Sequence, residues 1–227
     1  MFYDETKTLS ACDDDPTLVF ELIKEDLEDI VDKILSRNSF DYDVVDDKGD
    51  DVMMKLLKKG WYDIVLNHMN DKRWNVNHQN NNGDTFAHIL VSIDYYKVVE
   101  IIKTLLKNKE FIPNIRNNDG ETILDKSIKN CSIYTTFKIL DDERFDSVGV
   151  FSFKRLYETY IKSNKFGSYT KLDNLEKIVN NLQGREIAPQ VKEIIEKIKS
   201  NFVTIKEEVI NNKTDSMDTI LSTVLES

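Results

Sequence analysis

Between Asn75 and Leu124 the chain states one phrase twice: NVNHQNNNGDTFAH begins at Asn75 and PNIRNNDGETIL at Pro113. Each phrase is a polar turn, a glycine, a threonine and then apolar residues at helical spacing. Gly83 and Gly120 stand where a tight turn needs positive φ, which a residue with a Cβ tolerates poorly. Thr85 and Thr122 stand where a helix begins, so their hydroxyls are placed to cap unpaired N–H groups. The capping position recurs at Thr17, Asp51, Thr85 and Thr122, at intervals of 34, 34 and 37 residues. A phrase returning at such a period is a supersecondary unit that buries its apolar face only against its neighbours. The recurrence therefore restricts the chain to a stack of helix pairs.

The pairs follow from the apolar pattern. In the first unit LVFELIKE reads as an inner helix and LEDIVDKIL as an outer one, with Ile30 and Val31 starting the outer apolar face. In the second, VMMKLLKKGWYDIV has Gly60 between two helices as a C-cap, Ile64 and Val65 repeat the apolar pair, and Asp51 caps in place of Thr. The third is the most regular, with Val98 and Val99 followed by Ile101, Ile102, Leu105 and Leu106; its longer interval predicts an insertion in or after its second helix. The fourth begins at Asp119-Gly120 and decays after Cys131, its outer helix IYTTFKIL being weak.

This pattern resembles the ankyrin repeat, whose turn reads D/N-x-x-G-x-T-P-L-H and whose period is about 33 residues. Phe86 and Ala87 replace the family's Pro and Leu, and His88 occupies its histidine position, where the resemblance implies a bond between neighbouring turns. The implied fold is an all-α ankyrin solenoid of about four repeats followed by a C-terminal helical extension. The expected divisions are a lead at 1–14, repeats over 15–150 (about 15–47, 48–81, 82–118 and 119–150) and a helical region at 151–227. The Asn-rich, divergent repeats are also similar to ankyrin proteins of giant amoebal DNA viruses, which implies a host cytoplasmic setting.

Beyond residue 151 the period is lost. SFKRLYETYIKS and KLDNLEKIVNNL read as amphipathic helices, QGREIAPQ as a break, and Pro189 to Asn211 as a long helix. Val191, Ile195, Ile198, Phe202, Ile205 and Val209 step 4-3-4-3-4, a heptad seam that with the preceding helix predicts an antiparallel helical hairpin or a cap on the stack, the alternative being a helix-mediated dimer. The tail MDTILSTVLES carries a further apolar face.

Composition narrows the function. A net charge of −10 sets the chain against phosphate backbones, so nucleic acid is not an expected partner. Neither a membrane span nor a signal peptide is expected, since no run of about twenty apolar residues occurs and the N-terminus is acidic. Cys12 and Cys131 read as free thiols of a reducing, cytoplasmic compartment. His68, His78 and His88 match no metal spacing, and the acidic runs at Asp13–Asp15 and Asp46–Asp47 read as solvated caps. No phosphate loop or nucleophile elbow occurs. No catalytic, cofactor or metal site is expected, and no enzyme.

The expected role is protein binding, as a monomer, on the concave face that the resemblance implies. Its candidate residues are the turn tips Asp46, Asp47, Lys48, Asn80, Asn81, Asn82, Asn117, Asn118 and Asp119, with Lys58, Lys59, Ser92 and Ile93 at inner-helix ends. Lys129 and Asn130 end the fourth inner helix in the same way. The alternative is an adaptor or oligomerisation protein whose C-terminal helices recruit a second partner, such as ubiquitin-ligase machinery. No residues here match such a recruiting segment.

Overall fold

The computed structural model describes residues 5–93, 97–130, 133–140, 142, 144–145, 189–200 and 202–211, with single positions between 159 and 180. These residues are helical, with no strand among them and two isolated bridges, Val45 to Asp51 and Gln79 to Thr85. The all-α expectation holds at that level. The chain forms two compact units, Met1–Ile123 and Leu124–Ser227.

The first unit contains α1 (Glu5–Asp14), α2 (Leu18–Lys24), α3 (Glu28–Leu35), α4 (Val52–Lys59), α5 (Tyr62–His68), α6 (Phe86–Leu90) and α7 (Val98–Lys107). Pairs α2/α3, α4/α5 and α6/α7 repeat one local design. The Asp51 carboxylate accepts the Met54 N–H at 2.7 Å to start α4, and Gly60 in the left-handed region (φ 88°) ends it. Thirty-four residues earlier Asp26 takes the same left-handed conformation (φ 60°) without being glycine. The next N–H then reaches back into the helix in both pairs: Leu27 to the Leu22 carbonyl and Trp61 to the Leu56 carbonyl, each at 3.0 Å. Aspartate tolerates this conformation better than most residues because its short side chain bonds locally. The predicted cap at Thr17 is not made. Asp15 takes the role, accepting the Thr17 N–H at 3.0 Å and its hydroxyl at 2.6 Å.

The long third interval has a visible cause: α7 has ten residues where α5 has seven. Each pair then closes on a buried aromatic, Phe40, Trp74 or Phe111, again 34 and 37 residues apart. Arg73 ties two such loops together. Its guanidinium donates to the Arg37 carbonyl at 2.7 Å and the Phe40 carbonyl at 3.2 Å, and lies over the Tyr42 ring at 5.1 Å. Asp71 holds it at 2.6 Å.

The lead at 1–14, expected to be loose or partly docked, is docked over its described residues, Glu5–Asp14. They form α1, Cys12 is buried, and Asp13 pairs with Arg37 and accepts the Ser39 hydroxyl. These anchors are single residues too sparse to leave a periodic signal. Burial, with Asp13 and Asp15 nearby, raises the Cys12 thiol pKa, which keeps it protonated and unreactive.

The second unit contains α8 (Ile123–Lys129, whose first residue belongs to the first unit), α9 (Ile133–Leu140), α10 (Pro189–Ser200) and α11 (Phe202–Ile210). The weak sequence IYTTFKIL is helical, and the buried Thr136 hydroxyl donates to Ser127 Oγ at 3.0 Å. Asp142, Arg144 and buried Phe145 repeat the Asp71–Trp74 arrangement. Of the heptad seam, Ile195, Ile198, Ile205 and Val209 are buried within the single chain. Asn201, the Val191 and Phe202 side chains, SFKRLYETYIKS apart from Thr159, and MDTILSTVLES lie outside the described residues, and KLDNLEKIVNNL is described only at single, helical positions.

Candidate functional site

Three turns are built by one hydrogen-bond rule. The first residue of each takes two N–H groups on its Oδ1: Asp46 from Lys48 and Asp50, Asn80 from Asn82 and Asp84, Asn117 from Asp119 and Glu121, all between 2.9 and 3.1 Å. Its carbonyl then accepts the N–H of Gly49, Gly83 or Gly120. The turns are laced into a ladder. Asn81 N–H donates to the Lys48 carbonyl and Asn118 N–H to the Asn82 carbonyl, each at 3.0 Å. The amides of Asn81 and Asn118 donate to the carbonyls of Asp47 and Asn81.

Histidines complete the lacing. The His88 Nδ1 faces the Thr85 N–H, a donor, so it must accept; the ring proton then lies on Nε2 and goes to the Glu121 carbonyl at 2.9 Å. His88 thus ties adjacent turns, as expected of it. His78 Nε2 lies 2.7 Å from the Gly49 carbonyl, and His68 Nε2 lies 2.8 Å from Asp32. Among the described residues no group of three His, Cys, Asp or Glu side chains is arranged to hold a metal. No described helix is long and apolar enough to cross a membrane.

The ladder sorts the predicted tip residues. Asn80 and Asn117 are each only 7% exposed, with their amides donating at 2.8 Å to Asp50 and Asp84. They are not the exposed tips expected of them, because their side chains are spent on making the turns. Lys58 is also committed: its ammonium lies 2.6 Å from Asp50, whose carboxylate is buried. Asp46 is half-buried and pairs with Lys55 at 2.7 Å. Burial pushes the Asp46 carboxyl up, but Lys55 and the N–H groups of Asp50 and Lys48 outweigh it, so its pKa lies below the ordinary value. Lys59 pairs with Asp26 at 2.8 Å. Asp47, Lys48, Asn81, Asn82, Ser92, Asn118 and Asp119 are exposed, as are Lys129 and Asn130 in the second unit, and Ile93 is half-buried.

Beside the first turn lies a groove of about 760 Å³, bounded by Thr17 to Lys24 of α2 and its lead-in, by Val45 to Asp47, and by Lys55, Lys58 and Lys59 of α4. Leu18, Phe20 and Ile23 give it an apolar wall, and Val45 opens to it at 41% exposure. The α2 contribution was not among the predicted site residues. A usable signal existed, since Thr17 to Lys24 precede Asp51 to Lys58 by one 34-residue interval and so face the same way.

The chain matches no family model and no curated protein.

Proposed function

We propose that the chain is an ankyrin-type repeat scaffold, a non-enzymatic cytoplasmic protein that binds a protein partner through its turn tips and the adjoining first helices. One observation carries this reading. Lys48, Asn82 and Asp119 hold equivalent places, one before each turn glycine, and their side chains bond to no described group while the backbone beneath them is bonded. A ladder that immobilises the backbone and leaves at least one projecting side chain per turn offers contacts with little ordering cost left to meet on binding. The residues differ in charge (Lys, Asn, Asp), so the fold does not dictate them, and specificity is free to reside there.

The test is affinity purification from the native cell with the intact chain and with a Lys48→Ala, Asn82→Ala, Asp119→Ala variant. Each change is at a surface position and should alter stability by less than about 0.5 kcal/mol. Loss of the captured protein at an unchanged melting temperature supports the tip row. Equal capture by both proteins removes it.

A further inference from the structure

In the ladder, the residue two before each glycine donates backward. Asn81 and Asn118 each give an N–H to a carbonyl of the preceding turn. Asp47 holds the same place in the first turn, 34 residues before Asn81. Its N–H and its carboxylate have no partner among the described residues. The residues one interval earlier build no turn to receive it: Asp13 is engaged by Arg37 and Ser39, and Asp15 by Thr17. In place of a preceding turn there is the groove, and Asp47 lines it.

The other charges of the groove lining are paired. Glu21 pairs with Lys24, Asp46 with Lys55, Lys58 with Asp50 and Lys59 with Asp26. Asp47 is left as the unmatched charge of the lining, and it is negative, on a chain of net charge −10. An occupant must therefore present a carbonyl to the Asp47 N–H, as Lys48 does to Asn81. It must bring a positive group to the Asp47 carboxylate and an apolar side chain to Leu18, Phe20 and Ile23. We infer that the groove is a docking site for an extended peptide segment in which a lysine or arginine adjoins a large apolar residue, the segment continuing the turn ladder from its open end. Main-chain pairing with an exposed edge supplies affinity in such recognition, and the side-chain sites supply specificity. The negative field of the chain favours encounter with a basic segment. The inference rests on the protein-binding role proposed above and names the partner's chemistry.

The experiment is selection of a random twelve-residue peptide library on the immobilised full chain, followed by fluorescence polarisation with the enriched peptides. Enriched sequences should join Lys or Arg to Leu, Ile, Val or Phe. Their affinity should fall about tenfold for Asp47→Lys, as expected when a charge-assisted contact is lost, and less for Asp47→Asn. Both variants should keep the parent melting temperature, and the neutral one decides the matter if the reversed charge harms folding. Enrichment of acidic peptides, or equal binding to both variants, overturns the inference. So does self-association of the chain that Asp47→Lys abolishes, since the occupant is then a second copy. Absence of enrichment rejects the groove as a peptide site and leaves the cellular capture by the tip row as a separate result.

Discussion

The turns at Gly83 and Gly120 carry nearly the same residues and the same internal hydrogen bonds, and both glycines have positive φ (71° and 74°). They differ in what lies against them. A Cβ built on Gly83 would fall 2.7 Å from the Asn118 backbone nitrogen, whereas no described atom lies within 4 Å of one on Gly120. The glycine requirement in such a phrase thus has two separable parts: torsion, which both turns share, and close approach of the next turn, which only the first must meet. The same letter in a repeat carries different weight according to its neighbour.

The largest expected effect tests this separation. Gly83→Ala should cost about 3 kcal/mol, a left-handed penalty of roughly 1–2 kcal/mol plus displacement of the Asn118 backbone, while Gly120→Ala should cost about 1 kcal/mol. Urea denaturation of the two variants side by side measures the gap, and equal losses would show that the ladder contact is not tight.

The turn at Gly49 extends the comparison to charge, because it begins with Asp46 where the others begin with Asn80 and Asn117. Asp46→Asn keeps the turn acceptor and loses the charged pair with Lys55, so at neutral pH it should cost about 1 kcal/mol. The Asp46 pKa is lowered in the folded chain, so its contribution is present above the unfolded value of 3.8 and is lost as pH falls through the folded value. Wild type and variant should therefore converge in stability in acid below that range. A difference that stays constant with pH would assign the loss to packing.

The smallest effect isolates torsion. Asp26 holds a left-handed conformation at the position where Gly60 stands in the next pair. Asp26→Gly should stabilise by roughly 0.5–1 kcal/mol, since it gives up only an exposed ion pair with Lys59. The gain should be close to the loss in Gly120→Ala. A melting temperature that falls would mean the Asp26 carboxylate does more for the helix end than its backbone conformation costs.

What the sequence determined by itself is local. Gly49, Gly60, Gly83 and Gly120 all take positive φ, Asp51 caps α4, and the helix pairs stand at the predicted intervals, because torsion and capping depend on residues a few positions apart. The three-residue excess of the third unit was legible in its spacing and appears in α7. The identity of the exposed tips was not legible. Asn80 and Asn81 are adjacent and chemically the same, yet one is buried against Asp50 and the other is exposed, and the partners that decide it lie about 30 residues away. The groove beside Asp47 and the docking of α1 likewise depended on tertiary structure. Each arises where two segments distant in sequence meet, or fail to meet, and a one-dimensional period records that a unit recurs without recording which of its atoms the neighbouring unit will cover.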